Sequence, residues 1–224
     1  MLKEYADYLG RPPVPPKWAF GPWMSSNGWD CDREVRAQVE RTIAEAVPAT
    51  VIVIEAWSDE ATFYIWYDAV YTERADGRPF TLADFHFPRH GRWPDPKGLI
   101  DFVHAAGLRV LLWQIPVLKK SPEVAEHRQR LLDEEFMIAH GYCIRNGDGT
   151  PYHIPTIPPR WFEGSLLMDF TNPEAVEWWF AKRRYLVEEL NADGFKTDGG
   201  EFLWGDDVRL HDGSSGTELH NSYS

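Results

Sequence analysis

The chain has 224 residues, of which 43% are hydrophobic and 26% charged, the composition of a globular protein with one sizeable core. Its formal net charge of -12 argues against binding to nucleic acid or to an anionic membrane surface, since both need basic patches. Two cysteines cannot form a disulfide framework, and the first residues lack the apolar run of a signal peptide or a membrane span. We therefore expect a cytoplasmic protein.

The first residues differ in composition from the rest of the chain. Residues 1–17 end in R-P-P-V-P-P-K, and this density of proline disfavours both a helix and a central strand. We therefore predict a proline-rich, extended lead-in linker over residues 1–17 and a folded domain over residues 18–224.

Beyond the lead-in, short apolar runs alternate with helical patterns. The runs at residues 50–57 and 108–116 are typical of parallel strands covered on both faces, because they are apolar without alternation. Residues 32–47 carry apolar side chains at a spacing of four, which predicts an amphipathic helix. The other predicted elements are a strand at 18–25, a helix between the cap Asp95 and Gly107, a helix at 122–140, a hairpin at 141–154, a strand at 165–170, a helix capped by Asn172 and a strand at 194–198.

The order of these elements indicates an α/β fold with right-handed crossovers. A doubly wound sheet and a (β/α)8 barrel both agree with it, but the absence of a G-x-G-x-x-G or Walker loop disfavours a nucleotide-binding sheet. In a barrel the carboxyl ends of the strands hold the active site, and carboxylates, a cation and indoles gathered there suit a sugar pocket. The residues at the predicted strand ends are Trp23, Glu55, Trp57, Trp113, Lys196 and Asp198.

Asp198 is the most informative of these residues. It follows a predicted strand and precedes Gly199 and Gly200, which leave backbone room for a ligand. Lys196 projects from the same strand face, and its ammonium group would favour the ionised carboxylate that a nucleophile needs. A surface ion pair beside a tight turn is an equally good explanation of the spacing alone.

The segment F-K-T-D-G-G-E at 195–201 resembles the nucleophile motif of glycoside hydrolase family 31, the family of α-glucosidases and α-xylosidases. The resemblance implies a (β/α)8 TIM barrel, of which residues 18–224 would form the N-terminal half, with about the first four βα units, so that the chain is truncated. A half-barrel without its C-terminal half leaves open sheet edges, and we expect it to self-associate. Further segments that resemble the family are P-P-K-W-A-F-G (15–21), W-P-D-P-K-G-L-I-D-F-V-H-A-A-G-L-R-V-L-L-W (93–113), D-F-T-N-P-E-A-V-E-W-W (169–179) and H-N-S-Y (220–223).

The resemblance also implies roles for individual residues. Asp198 matches the catalytic nucleophile, and Glu201 matches the last carboxylate of the motif, in a supporting role. Glu55 matches an acidic residue that binds hydroxyl groups of the sugar in the -1 subsite, and Lys196 matches a lysine near the nucleophile. The aromatic walls of that subsite correspond to Trp57, Trp113 and Trp161.

Two positions depart from the family pattern. The usual W-I-N/D-P after the third strand is W-Q-I-P here, so that Ile115 replaces a polar residue. Gly199 replaces an aromatic residue or methionine of the nucleophile motif. Both departures fall near the -1 subsite, and the sugar therefore cannot be deduced from the sequence.

The resemblance implies a retaining α-glycoside hydrolase that acts on terminal α-linked sugars, such as α-glucosides or α-xylosides, by carboxylate double displacement. It implies a carbohydrate substrate and no cofactor, and the sequence shows no metal-ligand spacing. The acid/base aspartate of the family is expected beyond Ser224. Two alternatives stay open: a catalytically incomplete fragment that acts at most as a carbohydrate-binding domain, and a family member specific for α-galactosides or N-acetylgalactosaminides.

Overall fold

The structure, a computed structural model, describes residues 2–10, 13–156 and 160–223. None of the helices in these ranges has the length and apolar character needed to cross a bilayer. The strands in chain order are β1 (Trp23–Ser26), β2 (Val51–Ile54), β3 (Arg109–Gln114), β4 (Val117–Leu118), β5 (Arg145–Asn146), β6 (Leu166–Leu167), β7 (Gly194–Thr197) and β8 (Val208–Arg209). The α-helices are α1 (Leu2–Leu9), α2 (Asp32–Ala44), α3 (Pro96–Ala105), α4 (Arg128–His140), α5 (Pro173–Glu188) and α6 (Gly216–Leu219).

A parallel four-stranded sheet in the order β1-β2-β3-β7 forms the centre of the fold. The strands lie side by side in chain order without a reversal, which is the arrangement of a barrel wall and excludes the doubly wound alternative. The fold is therefore the predicted partial (β/α)8 barrel. The carboxyl ends of all four strands meet at one edge of the sheet, as the sequence analysis requires.

The two faces of the sheet are both apolar, which explains why β2 shows no alternation. Ile52 and Ile54 face the main core, where they pack with residues of α2, α3 and α5. Val51, Val53 and Leu111 face the opposite side, the interior of the barrel, and pack against Trp18. Burial on both faces is the usual condition of a parallel strand between helices and a barrel interior.

The helix caps predicted from the sequence are confirmed. The Asp95 carboxylate accepts a hydrogen bond from Gly98 N at 2.8 Å, and Pro96 takes the first position of α3. Asn172 accepts from Glu174 N at 3.0 Å at the start of α5, again with proline next. Side chains of this type satisfy amide groups that have no partner within the helix.

The lead-in and one strand differ from the sequence analysis. Residues of α1 (Leu2–Leu9) are helical, because the prolines that exclude a helix begin only after Gly10, whose φ of 86° ends the helix. Arg11 and Pro12 lie outside the described residues. The predicted strand at 165–170 is reduced to β6, which pairs with β4 and does not enter the main sheet.

A buried group of polar side chains connects α4 and α5 to the segment after β2. The Asp133 carboxylate accepts hydrogen bonds from Tyr64 Oη at 2.7 Å, from Lys182 Nζ at 3.1 Å and from Gln129 Nε2 at 2.9 Å. Lys182 and Asp133 are each about 1% exposed. The pair is therefore desolvated, and neither charge tolerates the loss of its partner.

We expect Asp133→Ala to lower the free energy of unfolding by about 3–5 kcal/mol, because it leaves the Lys182 ammonium buried without a carboxylate. The double variant Asp133→Leu/Lys182→Met should recover most of this loss, since it removes both charges. Urea unfolding of the three proteins measures the difference. Arg41→Ala, which removes an exposed ion pair with Glu45, is the control and should change little. A double variant as unstable as Asp133→Ala would contradict this account.

Candidate active site

Asp198 stands at the end of β7, one residue beyond the strand. Its backbone N–H donates to the Gln114 carbonyl at 2.9 Å, which extends the pairing of β3 and β7 by one step. Its carboxylate is held at both oxygens: Oδ2 accepts from Trp113 Nε1 at 3.0 Å and Oδ1 from Gly199 N at 2.9 Å. The carboxylate is exposed, so it is oriented by the protein and open to a ligand.

Glu55 and Lys196 form an ion pair beside Asp198. Lys196 Nζ donates to Glu55 Oε1 at 2.8 Å, and the Ser25 hydroxyl donates to the same oxygen. Glu55 is 9% exposed, whereas the Lys196 side chain is 40% exposed, so solvent screens the pair in part. The expected pairing of Lys196 with Asp198 is therefore wrong, because the lysine reaches across β3 to the end of β2.

A cleft of about 480 Å³ connects these groups. The structure brings Glu55, Trp113, Trp161, Lys196 and Asp198 together in it, as the sequence analysis expects. Trp161 is 70% exposed, which leaves its ring free to contact a ligand. The cleft residues that the sequence analysis missed are Asn27, Ala56, Glu60, Lys119 and Phe162.

Glu60 and Lys119 form a second ion pair in the cleft. Lys119 Nζ lies 3.1 Å from Glu60 Oε2. Glu60 has a φ of 59°, a left-handed conformation that is uncommon for a residue with a side chain. The adjacent Asp59 carboxylate holds this turn by accepting hydrogen bonds from the amides of residues 61–63. The only signal in the sequence was the density of polar residues after β2, which does not identify one residue.

Trp57 does not line the cleft, and this prediction is wrong. Its side chain is fully buried, its N–H donates to the Trp113 carbonyl at 2.9 Å, and its ring packs edge-on against Trp66 at 5.1 Å. Because β2 ends at Ile54, the alternation of a strand no longer applies at residue 57. From its place in the main core, Trp57 thus holds the backbone of Trp113 through this hydrogen bond.

Glu201 lies apart from the Glu55 cleft. It lines a second, mostly apolar cavity of about 380 Å³, which runs along the free side of β7 and includes Phe180, Phe195 and Tyr223. Asp198 borders both cavities. Among the described residues, Glu201 forms no hydrogen bond or ion pair with Glu55 or Lys196. The supporting role expected for Glu201 therefore stays a prediction.

The two departures from the family motifs, Ile115 and Gly199, are in contact with each other. A Cβ atom on Gly199 would lie 3.4 Å from Ile115 Cγ2 and 3.1 Å from Phe162 Cε2. Ile115 is 1% exposed and belongs to the apolar cluster that contains Phe162 and Phe202. This chain therefore has an apolar residue, Ile115, where the family has a polar one, and a small residue, Gly199, where the family has a large one, at two neighbouring positions.

Comparisons with known proteins agree with this geometry. The model of the glycosyl hydrolases family 31 TIM-barrel domain matches residues 12–224. The chain is 44% identical over 223 residues to the isomaltosyltransferase of Sporosarcina globispora and 40% identical over 223 residues to the 1,3-alpha-isomaltosidase of Kribbella flavida. These alignments cover 100% of the chain but only 20% and 30% of the two relatives. The chain thus spans less than a third of the length of either protein.

Solved structures give the same result. The cycloalternan-forming enzyme from Listeria monocytogenes, in complex with a pentasaccharide substrate, superposes with a TM-score of 0.92 at 45% identity, over 99% of this chain and 20% of that chain. The cycloalternan-degrading enzyme from Trueperella pyogenes, in complex with a covalent intermediate, superposes with a TM-score of 0.90 at 43% identity, over 99% of this chain and 30% of that chain.

We expect Gly199→Ala to destabilise the protein more than Gly149→Ala. Both glycines have a positive φ, 71° and 85°, so alanine costs on the order of 1 kcal/mol or more at either position. Only at Gly199 would the new methyl group also press against the Phe162 ring. Urea unfolding of both variants measures the difference. Equal destabilisation by the two variants would show that the contact with Phe162 adds nothing to the cost of alanine at position 199.

Proposed function

Because the chain belongs to glycosyl hydrolase family 31, we propose that it supplies the nucleophile side of the active site of a retaining α-glycosidase. The observation that carries the proposal is the Asp198 carboxylate, which lies at a strand end, exposed to a cleft and held at both oxygens. Its segment resembles the family's nucleophile motif. The covalent intermediate in the Trueperella pyogenes complex supports the same type of chemistry.

In the proposed reaction, an Asp198 oxygen attacks the anomeric carbon and the bond to the leaving oxygen breaks. A separate carboxylic acid protonates that oxygen, and its conjugate base then takes a proton from the acceptor hydroxyl or water that releases the sugar from Asp198. The hydrogen bond from Trp113 Nε1 stabilises the carboxylate as a charged group and aims its other oxygen. Glu55, fixed by Lys196, would accept hydrogen bonds from sugar hydroxyl groups.

The acid/base residue is proposed to come from strands of the barrel outside these 224 residues. In retaining enzymes the acid/base lies roughly 5–5.5 Å from the nucleophile, across the scissile bond. The Glu55 and Glu60 carboxylates in the cleft are both engaged in ion pairs with lysines. Each is already in contact with a lysine, which does not suit a group that must transfer a proton to the leaving oxygen.

We further propose that the transferred group is an isomaltosyl unit, two glucose residues, in place of a single terminal sugar. Two of the similar proteins are an isomaltosyltransferase and a 1,3-alpha-isomaltosidase. Besides Glu55 and Lys196, the cleft contains a second set of polar and aromatic groups, formed by Trp161 and the Glu60–Lys119 pair. The proposal assigns Trp161 to the second glucose, in place of the -1 subsite expected from the family resemblance. An exposed indole suits stacking on a sugar ring, and the ion pair offers donors and acceptors to hydroxyl groups.

We expect Asp198→Ala to lower turnover of an activated aryl α-isomaltoside by roughly 10⁴-fold or more in the protein that carries this chain, as removal of a covalent nucleophile does elsewhere. Mass spectrometry of the unmodified enzyme during turnover should find a glycosyl ester on Asp198. Asp206→Asn, in the loop that follows, is the matched control and should keep normal activity. Sugar binding without turnover in the unmodified protein would favour a carbohydrate-binding domain, and normal turnover in Asp198→Ala would exclude this residue as nucleophile.

We expect Lys119→Met and Trp161→Ala each to lower kcat/KM for an aryl α-isomaltoside by about 10-fold, the equivalent of one hydrogen bond or stacking contact. The same variants should leave kcat/KM for an aryl α-glucoside within about 2-fold, because a single sugar does not reach these side chains. Lys120→Met removes a neighbouring lysine outside the cleft and is the control. An equal loss for both substrates would contradict the isomaltosyl assignment, and preference for an aryl α-galactoside would favour the alternative specificity.

A further inference from the structure

Arg183 is a buried cation without a carboxylate partner within the described part of the chain. It lies on α5 with 4% of its surface exposed, and its guanidinium carbon lies 3.5 Å from the centre of the Trp179 ring. Its three nitrogens donate to neutral acceptors: Nε to Gln114 Oε1 at 2.7 Å, Nη1 to the Trp179 carbonyl at 3.0 Å and Nη2 to the Thr62 carbonyl at 3.3 Å. Each hydrogen bond of the guanidinium thus goes to an uncharged group.

Burial of such a cation lowers the stability of the folded protein. A buried charge without an opposite charge loses its hydration and gains only dipoles in return. Burial lowers the pKa of Arg183 from 12.5 to about 9, against the charges of Asp133, Asp59 and neighbouring tyrosines. Lys182, the preceding residue on α5, is equally buried but has the Asp133 carboxylate. If the residue at position 183 only filled space in the core, an apolar side chain would give a more stable fold.

The guanidinium group of Arg183 orients the side chain of Gln114. With its Oε1 held by the guanidinium, Gln114 donates Nε2 to the Phe63 carbonyl at 2.6 Å. The amide therefore has one orientation and joins the end of β3 to the segment after β2. The backbone carbonyl of the same glutamine accepts the Asp198 N–H, so the residue fixed by Arg183 also fixes the backbone of Asp198.

A second connection passes through Phe63. This residue has a φ of 56°, and its conformation is held by the contacts of Gln114 with its carbonyl and of Asp59 with its amide. Its ring packs edge-on against Trp113 at 5.4 Å between centroids. Trp113 in turn donates its N–H to the Asp198 carboxylate. Arg183 thus supports both the backbone and the carboxylate of Asp198 from the outer face of the sheet.

We propose that Arg183 is a positioning residue for Asp198, acting through Gln114 and the Phe63–Trp113 contact. The inference rests on the proposed role of Asp198 as nucleophile. Without the guanidinium, the Gln114 amide and the turn at Phe63 lose their fixed arrangement, and the Trp113 N–H is no longer aimed at the carboxylate. A misplacement of about 1 Å can cost on the order of 100-fold in rate.

The test is Arg183→Met in the protein that carries this chain, with the burst of aryl release from an activated aryl α-isomaltoside as the readout of attack by Asp198. We expect the burst rate to fall about 10–100-fold with KM changed by less than about 3-fold, at a temperature where unfolding curves show the variant folded. A fall in the burst rate without a matching change in KM separates a defect in the attack by Asp198 from a loss of substrate binding.

Asp133→Leu/Lys182→Met is the matched control, since it alters the buried polar pair formed by α4 and the neighbouring position of α5, and neither residue contacts Gln114. It should keep the burst rate and KM. If Arg183→Met loses stability but keeps both readouts, Arg183 is merely structural and the proposal is wrong. If Arg183→Met does not fold, Arg183→Lys is judged by the same two readouts. An Asp198→Ala enzyme that keeps its turnover would instead contradict the proposed function itself.

Discussion

The site depends on the parallel register of β2, β3 and β7. Trp113 is the register partner of Lys196, and the hydrogen bond from Asp198 N to the Gln114 carbonyl continues the same ladder. Side chains that alternate along these strands therefore divide into two sets. Trp113, Lys196 and Asp198 serve the cleft, whereas Gln114 points to α5 and meets Arg183. A slip of one residue would exchange the two sets and destroy the site.

Most of the elements, and the cleft residues at the strand ends, could be predicted from the sequence because they follow from local rules. Proline after Asp95 and after Asn172 identifies two helix starts, and uninterrupted apolar runs identify β2 and β3. Polar residues at the ends of parallel strands must share one edge of the sheet, which is why Glu55, Lys196 and Asp198 were grouped correctly. No contact between distant residues had to be known for these predictions.

The errors arose where a residue's neighbours come from elsewhere in the chain. Trp57 was placed in the subsite by the family resemblance, at the end of a strand predicted over residues 50–57, but β2 ends at Ile54 and the indole enters the core beside Trp66. Lys196 was paired with Asp198, two residues away, whereas its partner is Glu55, 141 residues away. The Arg183–Gln114 contact joins residues 69 apart, and nothing in either local sequence indicates it.

The adjacent cations of α5 show how one helix can serve both stability and the site. Successive helical residues point about 100° apart, so Lys182 reaches Asp133 on α4 while Arg183 reaches Gln114 at the end of β3. The first contact cancels a buried charge and holds α4 and α5 to the segment after β2. The second leaves a charge uncancelled and instead fixes an amide whose own backbone holds Asp198. Because removal of the first pair should change stability alone, the two effects can be separated by substitutions at neighbouring positions of the same helix.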